Sequence, residues 1–255
     1  MATCKHCGKP LILSGGKCLY CGFSSYQEIA PKDDKKDIRK PRQIIQRPSF
    51  VNRPKSIGDL RIKVTSPRYD NIGQILDQLK VKYSAFDGRY DCDILFLNCG
   101  TSDVVDPLQL NSFIQQGGIL YASDLTSSIL VSAWPEIMSV NNNTSVCTIP
   151  ATIVDSDLRQ YLGGTIDVEF DLGSWSKIVD APKGIVLMRS TQEGFPIMVE
   201  FSIGQGKVFY TSFHNHAQTA EAEKKLLQLL VIKQVSTATK QDFRKTVESF
   251  PVNLK

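Results

Sequence analysis

A chain of 255 residues that is 42% hydrophobic and carries a formal charge of +4 has enough apolar content for one sizeable α/β core and something small beside it. No apolar run approaches the ~20 residues of a membrane span, and the opening MATCKHCGKP lacks the continuous apolar core of a signal peptide. A soluble, cytoplasmic protein with no membrane partner is therefore expected.

The charge is divided unevenly. Residues 1–57 hold 12 Lys+Arg against 4 Asp+Glu, net +8, and the remainder hold 18 against 22, net −4. A basic segment of this kind either tethers or binds an acidic partner, nucleic acid included. Seven cysteines, four paired near the start and three scattered (Cys92, Cys99, Cys147), suit a reducing compartment better than a disulfide scaffold.

In chain order, the first element is CKHCGKPLILSGGKCLYCG, with Cys4-x2-Cys7 and Cys18-x2-Cys21. Each CxxC lets two sulfurs converge on one ion from a tight turn, and Gly8 and Gly22 permit the left-handed backbone of such knuckles. Leu11 to Leu13 followed by Ser14-Gly15-Gly16 reads as a short connecting hairpin. These features describe a zinc ribbon over residues 1–24, with Cys4, Cys7, Cys18 and Cys21 as the Zn2+ ligands and a rubredoxin-like iron centre as the alternative. His6 is read as a solvent-facing neighbour. A unit this small needs its metal in order to fold. With few stacking aromatics (Tyr20, Phe23, Tyr26) and no sequence-reading helix, a protein contact is favoured over DNA recognition.

Residues 25–57 are charged and proline-punctuated and read as a basic linker. A main domain is expected over 58–235. LRIKVTSP is its first strand, YDNIGQILDQL a helix with Ile72, Ile75, Leu76 and Leu79 inward, and KVKYSAFDG a second strand. The stretch Asp93 to Asp124 reads as strand, loop, helix, glycine stop and strand, with Leu108, Phe113 and Ile114 as the inward helical positions. That βαβ unit implies an open, doubly wound, mostly parallel sheet whose ligands bind at the carboxyl ends of its strands. Another helix follows to about Trp134. Short alternating segments from Asn141 to Phe213 then predict an antiparallel extension. Gly204-x-Gly206-Lys207 is read as a hairpin turn, not a phosphate loop, because it lies between strands. A helix from Ala220 to Val231, with Ala222, Leu226, Leu229 and Leu230 inward, closes the domain. Residues 236–255 read as a polar tail.

The order FLNCGTSD, LNSFIQQGGILYASD, PATIVDSDLRQYLGG and FPIMVEFSIGQGKVFYTSFHNH resembles the ThuA-like domains of the class I glutamine-amidotransferase-like superfamily, over roughly residues 59–233. The resemblance implies a flavodoxin-like fold and a site at the strand ends. It does not carry the chemistry across. Amidotransferases place a cysteine on a strained turn between glycines, whereas the corresponding strand here ends Tyr121-Ala122-Ser123-Asp124-Leu125, and His214 is followed by Asn215 and His216 in place of the family's His-x-Glu.

The candidate catalytic residues are accordingly Cys99, Ser123, Asp124 and His214. His214 and His216 with Asp103 or Asp124 could also hold a metal. The expected function is a non-catalytic zinc-binding interaction or assembly module on a degenerate amidotransferase-like domain. The alternatives are a hydrolase or sugar-modifying enzyme with a pocket of Asn98, Cys99, Ser123, Asp124 and His214, and nucleic-acid binding through residues 1–57.

Overall fold

The computed structural model describes residues 13–14, 17–18 and 55–250, apart from 216, 217 and 219. The chain divides between Arg47 and Pro48 into two units, inside the expected linker. In the first unit β1 (Leu13–Ser14) and β2 (Lys17–Cys18) pair antiparallel, Leu13 opposite Cys18 and Ser14 opposite Lys17. Gly15 and Gly16 stand between them, as a two-residue hairpin favours. Cys4, Cys7, Cys21 and linker residues 25–54 lie outside the described residues, and Cys18 is described only as the end of β2.

The second unit is built on a nine-stranded sheet. Its elements run β3 (Ile62–Val64), α1 (Ile72–Gln78), β4 (Ser84–Ala85), β5 (Ile94–Leu97), α2 (Pro107–Gln115), β6 (Ile119–Ser123) and α3 (Ser127–Ala133), then β7 (Ser139–Asn141), β8 (Cys147–Ile153), α4 (Ser156–Leu162), β9 (Thr165–Phe170) and β10 (Lys177–Asp180). They close with β11 (Ile185–Ser190), β12 (Pro196–Ile203), β13 (Gly206–Thr211), α5 (Glu221–Thr239) and α6 (Phe243–Glu248). The sheet order is β4-β3-β5-β6-β13-β12-β11-β8-β9, and β7 pairs with β10 in a separate ribbon.

Strands β4 to β13 in that order are parallel, and β13 turns back antiparallel into β12, β11, β8 and β9. This is the doubly wound sheet with an antiparallel extension that the sequence predicts. Both faces are covered, which is why ILFL and ILYA are apolar without interruption. Ile94, Phe96, Ile119, Tyr121 and Phe209 pack into one core with α1 and α5. Leu95, Leu97, Leu120, Ala122, Val208 and Tyr210 pack into the other with α2 and the β7–β10 ribbon. Among the described residues no helix is long and apolar enough to cross a membrane.

The Gly204-Gln205 turn joins β12 to β13 as a hairpin. A Cβ on Gly206 would stand well inside contact distance of the carbonyl oxygens of Gly118 and Ile114. The second glycine is thus required by close packing of the hairpin on the α2–β6 turn.

Three details differ from the sequence reading. Leu108 is 81% exposed, and Leu110 takes its place inward with Phe113 and Ile114. The Asp106 carboxylate accepts from the N–H groups of Leu108 and Gln109 and sets the start of α2. That start puts the core-facing row at 110, 113 and 114. Ala222 is exposed, and Glu223 instead turns back to accept from the Ala220 N–H at 2.9 Å. Helix α5 runs on to Thr239, and Phe243, Val247 and Phe250 are buried, so residues 236–250 belong to the domain. Three aromatic or aliphatic groups at spacings of four and three make one narrow stripe, which the surrounding Lys, Arg, Gln and Glu conceal in the sequence.

Candidate functional site at the strand ends

Three neighbouring strands deliver the site: Cys99 follows β5, Asp124 follows β6 and His214 follows β13. Their order in the sheet is β5-β6-β13, so the carboxyl ends of the parallel half bring together residues far apart in the chain. Cys99, Ser123 and Asp124 have no exposed surface and His214 is 3% exposed. The four candidates converge, but inside the protein and not on an open cleft.

Asp124 makes the turn at the end of β6. Its φ is +42°, a left-handed conformation that costs a non-glycine residue roughly 1–2 kcal/mol and that Asp tolerates better than most. The flanking residues two away are Ala122 and Thr126, small enough for the turn. The resulting geometry points the carboxylate inward, where Oδ1 accepts from the Ser176 N–H at 2.7 Å and Oδ2 lies 3.7 Å from Cys99 Sγ and 3.8 Å from His214 Nδ1. The Tyr210 hydroxyl donates to its main-chain carbonyl at 2.8 Å. On the other side of the imidazole, His214 Nε2 lies 2.9 Å from Asp171 Oδ1.

Ser123 has a different partner. Its hydroxyl donates to Asp70 Oδ2, whose carboxylate also accepts from the main-chain N–H of Asn215 and, at 3.3 Å, of Cys99. Asn98 lies in the shell around this network: its Oδ1 accepts from the Ile72 N–H at 3.0 Å and its Nδ2 donates to the Thr65 carbonyl at 2.6 Å. Asp103 is elsewhere, accepting from the Ser66 N–H and hydroxyl at 2.6 and 3.0 Å. His216 lies outside the described residues.

Burial dominates the electrostatics. It pushes the Asp124 carboxyl up to about 6 against the opposing effects of the Ser176 N–H and His214. Asp70 is likewise raised by burial, opposed by the Ser123 hydroxyl. The Cys99 thiol is raised well above its ordinary range by burial and then by the Asp124 charge. A thiol held protonated is a poor nucleophile, and Ser123 is bound to a carboxylate with no imidazole to activate it. Asp70, Asp171, Ser176 and Asn215 went unrecognised in the sequence. For Asp70 a signal was available, since it follows the first strand of a parallel sheet and so stands at the same edge as Cys99 and Asp124. Asp171 and Ser176 come from the antiparallel extension, whose return over the strand ends has no local signature. An open cleft of about 480 Å³ lined by Trp134, Glu136, Lys183, Phe201 and Ile203 lies elsewhere: Ile203 pairs with Gly206, at the amino end of β13.

No protein-family model matches the chain, and no curated protein does. Among solved structures it is similar to a putative GMP synthase component from Thermoplasma acidophilum, with a TM-score of 0.50 at 10% identity, covering 74% of this chain and 98% of that one. The likeness is that of a flavodoxin-like α/β fold. The N-terminal domain of mmIFT52 gives a TM-score of 0.51 at 10% identity, covering 69% of this chain and 97% of that domain. A β-galactosidase from Bacillus circulans sp. alkalophilus matches at 0.49 and 12% identity over 72% of this chain. This chain spans only 31% of that enzyme. At such identities the likeness is one of fold.

Proposed function

We propose that the chain is a non-catalytic, zinc-binding interaction or assembly module. It joins a zinc ribbon on Cys4, Cys7, Cys18 and Cys21, through a basic tether, to a degenerate ThuA-like domain that contacts a protein partner. The observation that carries this reading is Asp124: a buried carboxylate takes the left-handed turn after β6, the strand end at which the resemblance implies an exposed cysteine in an amidotransferase. The neighbouring Cys99 thiol is held protonated, and Ser123 is bound to Asp70. The ribbon reading is supported by the cysteine spacing and by the antiparallel pairing of β1 with β2.

The test is crosslinking in the native cell with the wild-type chain and the Cys18→Ser/Cys21→Ser variant, together with a turnover screen of glutamine, esters and glycosides. A set of protein partners lost in the variant, with no turnover by the wild type, is expected. Turnover that disappears in His214→Ala would overturn the reading and favour the hydrolase. The convergence of Cys99, Asp124 and His214 is the one observation that speaks for that alternative. Crosslinks to nucleic acid that vanish when residues 1–57 are removed would move the function to the basic segment.

A further inference from the structure

We propose that Cys99, Asp124 and His214 form a second metal site, taking one divalent ion of the zinc class in the α/β domain, separate from the ribbon cysteines. Sγ of Cys99, a carboxylate oxygen of Asp124 and a ring nitrogen of His214 lie within 4.8 Å of one another. The two separations from Asp124 Oδ2 are 3.7 Å to sulfur and 3.8 Å to Nδ1. Metal bonds of ~2.3 Å to sulfur and ~2.0–2.2 Å to nitrogen and oxygen, set at tetrahedral angles, place ligand atoms roughly 3.3–3.7 Å apart. The two Asp124 separations need adjustments of a few tenths of an ångström, and the sulfur-to-nitrogen separation, bounded at 4.8 Å, closes by a side-chain rotation of about an ångström.

The atoms that do not face the centre are already held. Asp124 Oδ1 takes the Ser176 N–H, leaving Oδ2 to the centre. His214 Nε2 meets Asp171 Oδ1 at 2.9 Å. With the Nε2 proton donated to that carboxylate, Nδ1 presents a lone pair to Asp124 Oδ2, so two acceptors face each other inside the protein. A cation between them resolves that juxtaposition. A carboxylate on the far nitrogen of a ligating imidazole is also the arrangement that orients histidine toward a metal. One thiolate, one imidazole and one carboxylate suit zinc or cobalt and disfavour magnesium and calcium, which take oxygen ligands. The thiol proton leaves to bulk solvent when the ion binds. The competing arrangement is an imidazolium bridging Asp124 and Asp171, which needs no metal.

The experiment uses the full chain carrying Cys4→Ser/Cys7→Ser, so that the ribbon contributes no complete ligand set. The protein is treated with chelator, titrated with cobalt(II) and then zinc(II), and read by metal content per chain and visible absorption, with folding followed by circular dichroism. The expected result is one equivalent bound, with a thiolate-to-cobalt charge-transfer band that Cys99→Ser abolishes. Asp171→Asn, which removes a positioning residue and no ligand, should weaken binding about 10- to 100-fold while leaving the band in place. Failure of the folded ribbon-disabled chain to bind either ion, or a cobalt spectrum unchanged by Cys99→Ser, would overturn the proposal and leave the bridging imidazolium. Loss of the ribbon metal would show separately, as the difference in metal content between wild type and the Cys4→Ser/Cys7→Ser chain.

Discussion

The Ser123 hydroxyl donates to the carboxylate of Asp70, joining the end of β6 to the loop after β3 inside the protein. Because Asp70 also accepts from the Asn215 and Cys99 N–H groups, one carboxylate ties together the ends of three strands. Its removal leaves buried donors without acceptors, each costing about 1–3 kcal/mol. Asp70→Ala should therefore lower the unfolding free energy by about 3 kcal/mol or more in urea titrations. Ser123→Ala alone should cost less, and the double variant little more than Asp70→Ala. Additive losses would show that the two side chains do not act as a unit.

Gln234, on α5, has no exposed surface, and among the described residues neither its amide nitrogen nor its amide oxygen has a hydrogen-bond partner. An unmet buried amide is unfavourable, and a leucine of similar volume removes the unmet groups. Gln234→Leu should stabilise the protein by about 1 kcal/mol, seen as a raised Tm. A lowered Tm would mean that the amide is satisfied in solution.

The Asp106 carboxylate accepts from the side chain and N–H of Gln109 and from the Leu108 N–H, and these contacts hold it below the usual carboxylate range. A folded-state value depressed below the unfolded value of about 3.9 means stability present above that value and lost as pH falls through the folded one. The Tm difference between wild type and Asp106→Ala should accordingly be largest near neutral pH and shrink below about pH 4. A difference that stays constant across that range would point to packing instead of the charged cap.

Two glycines provide a paired comparison. At Gly206 a methyl group would collide with the carbonyl oxygens of Gly118 and Ile114, whereas at Gly164 it would meet nothing within 4 Å. Gly206→Ala should destabilise by about 1–3 kcal/mol or prevent folding, since main chain must move. Gly164→Ala should change the Tm by only a degree or two, and a large loss there would contradict the open surroundings.

Much of the architecture was legible because it depends on short-range pattern. The apolar runs ILFL and ILYA, buried on both faces, mark central parallel strands whatever surrounds them, and the alternating segments after Asn141 mark the extension. Gly117 and Gly204, both with positive φ, mark turns for a conformational reason that acts locally, whereas Gly206 is required by Gly118 and Ile114, distant in the chain. Ile72, Ile75, Leu76 and Leu79, spaced for one helical face, are all buried. That Cys99, Ser123, Asp124 and His214 meet also followed from pattern, because parallel strands send their carboxyl ends to one edge.

Whether that meeting makes an open pocket was decided by contacts between distant segments. The N–H that holds Asp124 comes from Ser176, and the carboxylate beyond His214 is Asp171, both from the extension. The left-handed turn falls on Asp124, a conformation that residue type biases only weakly. Spacing in the chain dictates periodicity, and hence strands, helices and their order. The closure of the strand ends arises from distant loops returning over them, Ser176 to Asp124 among them, and only the folded chain specifies it.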